Sequence, residues 1–99
     1  MKVWRLVFSR HAQADLDAIH DWIADHASVA TAADYTARLR ASCLRLSTYP
    51  KRGEVRDDIR SGLRLIGFEK GVTIAFVVDE ERDEVRILRL LYRKQDFKG

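Results

Sequence analysis

The sequence predicts an α+β fold in the order βααβββ, a helix hairpin packed on a mostly antiparallel four-stranded sheet, as a single domain over residues 1–99. Two consecutive apolar stripes at three- and four-residue spacing predict the hairpin. Three later runs of β-branched and aromatic residues, separated by short polar turns, predict the antiparallel strands. A brief apolar run ahead of the first stripe supplies the remaining strand.

Residues 2–8, Lys-Val-Trp-Arg-Leu-Val-Phe, form that run, and Ser9 closes it as a cap for the helix that follows. Ala12, Leu16, Ile19, Ile23 and Ala27 then share one face, while Asp15, Asp17, Asp21 and Asp25 fall largely elsewhere. A break around Ala27 to Val29, with Ser28 as cap, separates this helix from a second. Its buried stripe is Ala32, Tyr35, Leu39, Ser42, Cys43 and Leu46, and Pro50 ends it. The short connection makes the two helices antiparallel neighbours.

Strands are predicted over Leu63 to Phe68, Val72 to Asp79 and Glu84 to Leu91, divided by Lys70-Gly71 and by Glu80-Glu81-Arg82-Asp83. In the middle strand Val72, Ile74, Phe76 and Val78 make a strongly apolar face for the helices, opposite Thr73, Ala75 and Val77. In the last strand strict alternation sets Val85, Ile87, Arg89 and Leu91 on one face and Arg86, Leu88, Leu90 and Tyr92 on the other.

The chain's 18 Lys and Arg against 15 Asp and Glu leave a net charge of +3, which permits an anionic partner without requiring one. A single cysteine, Cys43, excludes an internal disulfide and suits a reducing cytoplasm. No apolar run approaches the roughly 20 residues of a membrane span, and the amino terminus lacks a signal-peptide pattern, so a soluble intracellular protein without membrane association is expected.

His11, His20 and His26 lack the spacing of a helical metal site, and no metal or cofactor is expected. His20 and His26 read as edge residues of the hairpin, and Cys43 as core. Phosphate-loop patterns and a G-x-S-x-G elbow are absent, and Ser9 and Ser28 serve as caps, so nucleotide cofactors and a serine triad have no support.

Arginines in and around the strands carry the chemistry. Buried unpaired, an arginine costs several kcal/mol. Each one in the sheet is therefore either paired with a carboxylate or, for Arg64, Arg89 and Arg93, gathered on the open face to grip phosphate or an acidic helix.

Ala12-x-x-Asp15-Leu16-x-x-Ile19, Ala33-Asp34-Tyr35, Leu46-x-x-x-Pro50-x-x-Gly53 and Ile59-Arg60-x-Gly62-Leu63-Arg64 occur in that order. They are followed by Val72-x-Ile74-Ala75-Phe76-Val77-Val78 and Val85-x-Ile87-Leu88-Arg89-Leu90-Leu91-Tyr92. This series resembles the RelE/ParE toxin superfamily, nearer its ParE branch, across nearly the whole chain. The resemblance implies the toxin of a bacterial type II toxin–antitoxin system, of the plasmid-stabilisation or stress-response kind. It implies a cytoplasmic protein neutralised by a ParD-like antitoxin in a heterodimer or larger heteromer.

ParE-like members are described as inhibiting DNA gyrase by binding, and that is the function expected here, with nucleic acid met only through the target or the antitoxin complex. The alternatives are a RelE-like ribosome-dependent mRNA endonuclease and an inactive toxin-like binding module. If the chain were a nuclease, Arg64, Arg89, Tyr92 and Arg93, with Lys94, would carry proton transfer and charge stabilisation. That set looks incomplete, because no histidine follows His26 and Phe97 is the only aromatic after Tyr92.

For the antitoxin, the resemblance implies a wrapping segment on an apolar groove rimmed by charge. Trp22 and Tyr35 are candidates for the groove, and Arg60, Arg64, Arg89 and Arg93 for the basic contacts. Trp22 has a second reading as core beside Ile19 and Ile23.

Overall fold

A computed structural model describes residues 2–93 of the chain. Strand β1 (Arg5–Phe8) leads into helix α1 (Arg10–His26), helix α2 (Val29–Leu44) and a 3-10 turn over Arg45–Ser47. Strands β2 (Glu54–Val55), β3 (Arg64–Phe68), β4 (Val72–Asp79) and β5 (Glu84–Tyr92) follow. They form one five-stranded sheet in the order β1-β5-β4-β3-β2, with β1 parallel to β5 and every other pair antiparallel.

The four-stranded expectation is thus one strand short. The missed strand is two residues long, exposed, and set on the edge of β3, so it carries no burial pattern of its own. Gly53 permits it: its φ is +88°, and a Cβ there would lie 2.5 Å from the Leu65 carbonyl oxygen.

Both caps form as the sequence implies. Ser9 Oγ accepts from the Ala12 N–H and Ser28 Oγ from the Thr31 N–H, each at 3.0 Å. α1 buries Ala12, Leu16, Ile19 and Ile23, and α2 buries Ala32, Thr36, Leu39 and Cys43. Tyr35 and Ser42, assigned to that stripe from spacing, lie half-buried on its border. The stripes pack with Leu46 onto Val72, Ile74, Phe76, Val85, Ile87 and Leu90.

Strict alternation fails in β5. Phe76 is registered with Ile87 but Ala75 with Arg89, so Leu88 is an extra residue, a β-bulge. After the bulge the faces exchange: Leu90 joins Val85 and Ile87 in the helix-side core. Leu88 packs instead with Leu63 and Ala75 on the other face, under Ile59, Leu65 and Val77. That second small core seals the back of the sheet with the segment leading into β3. Among the described residues, no helix is long and apolar enough to cross a membrane.

Candidate functional site

The last turns of α1, the first half of α2, the β3–β4 turn and the end of β5 meet around an open cleft of about 780 Å³. Trp22, Tyr35 and Tyr92 wall it, Gly71 lies between the tyrosines, and Lys70 and Arg93 bring charge to it. Trp22 is 37% exposed, so it belongs to this surface rather than to the core. Its ring stacks on His26 four residues later, with centroids 3.9 Å apart, while His26 Nδ1 donates to the Trp22 carbonyl at 2.8 Å. Tyr92 meets Trp22 edge-on at 5.7 Å, and Tyr35 meets Phe68 likewise at 5.4 Å.

Gly71 is closely overlain by the two tyrosines. A Cβ on it would stand 2.8 Å from the Tyr35 hydroxyl and 3.4 Å from the Tyr92 ring. The turn is tied to the end of β5 by the Arg93 N–H, which donates to the Gly71 carbonyl at 2.9 Å. Arg93 itself has φ +57°, a left-handed conformation that costs a non-glycine residue about 1–2 kcal/mol. That backbone sets its guanidinium 4.5 Å from the centre of the Trp22 ring and 5.9 Å from that of Tyr92.

Charge in the cleft is unevenly balanced. Glu69 is engaged by Arg38, whose Nε donates at 3.0 Å and which also pairs with Asp34 and lies over the Tyr35 ring. Lys70 and Arg93 make no ion pair among the described residues, which leaves the cleft positive. Burial, then the nearby Tyr92 and Glu69, push the Tyr35 hydroxyl above the ordinary tyrosine value against the opposing effect of Arg38. Tyr35 is therefore a neutral hydrogen-bonding group at physiological pH and a poor general base.

Four of the residues singled out from sequence meet here: Trp22, Tyr35, Tyr92 and Arg93. The others do not join them. Arg89 donates through Nε and Nη2 to Asp15 of α1 at 2.7 and 3.0 Å, the paired alternative for a sheet arginine. Arg64 is registered with Phe76 and Arg89 with Ala75, neighbours that belong to the cores on opposite faces. The expected convergence of Arg64, Arg89 and Arg93 on one open face does not occur, because the bulge and Asp15 redirect Arg89. Arg60 sits on the exposed turn before β3, where its N–H donates to the Arg56 carbonyl at 3.2 Å. Lys94, Phe97 and Lys98 lie outside the described residues.

Sequence reasoning missed Asp15, His26, Lys70 and Gly71 as parts of this region. The four-residue spacing of Trp22 and His26 signals their stack, and Asp15 flanks the buried stripe beside Leu16. Gly71 looked like a turn glycine, since what fills the space above it comes from α2. Among the described residues no group of three or more His, Cys, Asp or Glu side chains is placed to hold a metal ion.

Helices on one face of a sheet whose first strand lies parallel to its last are shared with solved toxin–antitoxin proteins. A chain of the chromosomal ParDE TA system from P. aeruginosa superposes with a TM-score of 0.80 at 25% identity, over 93% of this chain and 98% of that one. The toxin–antitoxin complex RelBE2 from Mycobacterium tuberculosis contains a chain that matches in fold, with a TM-score of 0.66 at 20% identity over 96% of this chain and 97% of that one. These likenesses place the fold among those of toxin–antitoxin proteins.

The branch follows from sequence. The family model for the ParE toxin of the type II toxin–antitoxin system parDE matches residues 6–97. Toxin ParE1 of Caulobacter vibrioides is 38% identical over 99 residues, covering 100% of this chain and 97% of the relative. The chain belongs to the ParE toxin family of type II toxin–antitoxin systems.

Proposed function

We propose that this ParE-family toxin acts by binding rather than by cutting RNA, that DNA gyrase is its target, and that a ParD-like antitoxin neutralises it in the cytoplasm. The Asp15–Arg89 fork carries this reading. A nuclease of this superfamily would need Arg64, Arg89, Tyr92 and Arg93 around one phosphate, with a base for the 2′-hydroxyl and an acid for the leaving oxygen. Here Arg89 is committed to a carboxylate that would itself repel the phosphate, and Arg64 belongs to another part of the sheet. Tyr35, brought to the cleft, is held in its neutral form. What is left is a surface with aromatic walls and two cations, the composition of a docking site.

Docking needs area and complementarity rather than a deep pocket, which suits a small domain whose clefts are open. Contacts through Trp22, Tyr35 and Arg93, with the exposed Arg60 and the half-buried Arg64 away from the cleft, serve the target and the antitoxin in this reading. Purified toxin added to gyrase should block supercoiling or trap cleaved DNA, leaving ribosome-bound mRNA intact, and antitoxin should reverse the effect. Site-specific mRNA cuts lost on changing Arg64 or Tyr92 would assign the protein to the nuclease branch instead. Absence of growth arrest on induction without antitoxin would identify an inactive binding module.

A further inference from the structure

We infer that Arg5, Arg82 and Arg86, at the end of the sheet face turned away from the helices, form a docking surface for an acidic segment of the protein that this toxin targets. The inference rests on the reading that the toxin acts by binding gyrase, and adds which surface makes that contact and by what chemistry.

Strand register builds the surface. Leu6, Val78 and Val85 pack on the helix-side core, so their neighbours Arg5, Asp79 and Glu84 face the other way. Arg5 is registered with Glu84 and Glu84 with Asp79, and the next row across the same three strands is Val7, Arg86 and Val77. Arg82 stands on the turn between β4 and β5 and reaches back to Asp79, its Nη1 donating at 2.9 Å. The cleft at Tyr92 lies on the helix side at the other end of β4, roughly 23 Å along the strand.

Depth decides the sign of the patch. Glu84 accepts from Arg5 through Oε2 and from Arg86 through Oε1, the latter at 2.7 Å. The Glu84 side chain is 2% exposed and that of Asp79 25%, against 71% for Arg5, 69% for Arg82 and 41% for Arg86. Three guanidiniums at the surface thus answer to two carboxylates set beneath them, and each has N–H groups to spare. The carboxylates also hold the arginines in place, so less side-chain freedom is lost when a partner arrives. Of the other acids on the turn, Asp83 pairs with Lys2 at 2.6 Å and Glu80 with Lys51, while Glu81 makes no ion pair among the described residues.

Charge complementarity selects the occupant. Carboxylates match the planar guanidinium forks, and the half-buried Val7 and Val77 on either side of Arg86 offer apolar surface for a protein side chain to cover. A DNA backbone would satisfy the arginines but not cover the valines, and the two rows carry no aromatic ring on which an unpaired base could stack. A second copy docked through the same face would set arginine against arginine.

The test measures binding of the complete toxin to purified gyrase and, separately, to its cognate antitoxin, by calorimetry at low and high salt. The patch variant is Arg5→Gln/Arg82→Gln/Glu84→Gln/Arg86→Gln, in which the change at Glu84 avoids a buried carboxylate stripped of its partners. At low salt it should bind gyrase about tenfold more weakly, and the deficit should shrink as salt screens the wild-type contacts. Its affinity for antitoxin should match wild type. Arg5→Lys/Arg82→Lys/Arg86→Lys, which keeps the charge, should recover most of the affinity for gyrase. Arg82→Gln alone, which leaves the buried Glu84 cluster intact, should show part of the loss. Far-ultraviolet circular dichroism and the urea midpoint check that each variant folds.

Gyrase bound by the folded patch variant and by Arg82→Gln as tightly as by wild type would overturn the surface and leave the target reading standing. An equal loss of gyrase and antitoxin affinity in folded protein would also overturn it, because the patch would not then belong to the target. Wild-type toxin that does not bind gyrase would overturn the target reading and this inference with it. Binding to a DNA duplex alone, or self-association, that the patch variant loses would overturn the acidic-segment assignment in favour of phosphate or of a second copy.

Discussion

Asp15 substitutes for a strand beside Arg89. β1 covers the edge of β5 only as far as Ile87, and where it ends the Asp15 carboxylate takes over: Oδ2 accepts the Leu90 N–H at 2.9 Å and Arg89 Nε at 2.7 Å, and Oδ1 accepts Arg89 Nη2 at 3.0 Å. One side chain thus satisfies a backbone donor left open by the short strand, neutralises a sheet arginine and ties α1 to β5. The pair raises the Arg89 guanidinium further above its already high value, chiefly through the hydrogen bond.

Replacing Asp15 with Ala should therefore cost more than one surface ion pair, because it strands both an arginine and a backbone N–H. A loss of about 1–3 kcal/mol is expected, discounted for the partial exposure of the pair. In urea melts of Asp15→Ala, Arg89→Gln and the double variant, the two single changes should be clearly non-additive. Additivity would mean that the fork seen between them contributes no coupling.

Cys43 should be silent toward thiol reagents in the native protein. It is fully buried on α2, and burial pushes its thiol up to about 12, so the reactive thiolate is essentially absent at neutral pH. A colorimetric disulfide reagent should find no reactive thiol in the folded chain and one per chain in denaturant. Rapid native labelling would show that α2 opens locally.

What the sequence disclosed and what it hid have a common cause. The helices, their serine caps and the apolar face of β4 depend on contacts that repeat within an element, so periodicity reports them. Leu88 breaks the pattern because a bulge arises from pairing between strands, and one extra residue reverses every later assignment in β5. That is why Arg89 was placed with Arg64 and is found with Asp15. The candidate site was half legible for the same reason. Trp22, Tyr35, Tyr92 and Arg93 stand out by residue type, but Lys70 and Gly71 matter only because α2 and β5 close over their turn.

Glu84 sets an acid limit on stability. Its side chain is almost completely buried, and its carboxylate pairs with Arg5 and, at 2.7 Å, with Arg86. The hydrogen bond from Arg5 is the largest influence, and burial opposes it without prevailing, so the carboxyl titrates below the ordinary glutamate value. Because the folded value is depressed, this stabilisation is complete above the unfolded glutamate value of about 4.3 and is lost as pH falls from there through the folded value. Melting temperature should fall with pH across that window, and Glu84→Gln should flatten the fall while lowering stability at neutral pH. An acid limb unchanged in that variant would assign the loss to other carboxylates.

Gly53 and Gly62 both have left-handed backbones, with φ +88° and +78°, yet they should tolerate alanine differently. At Gly62 a Cβ meets nothing within 4 Å, so Gly62→Ala should cost only the conformational strain of about 1–2 kcal/mol. At Gly53 the same strain is joined by a contact of 2.5 Å with the Leu65 carbonyl oxygen, a backbone atom held in the β2–β3 pairing. Relief requires β2 to leave β3, so Gly53→Ala should be the more destabilising by urea midpoint. It should also speed hydrogen exchange in Glu54, Val55 and the facing residues of β3, a change that Gly62→Ala should not produce. Equal midpoints for the two variants would show that β2 moves aside at no cost and that the fifth strand contributes nothing to the stability of the sheet.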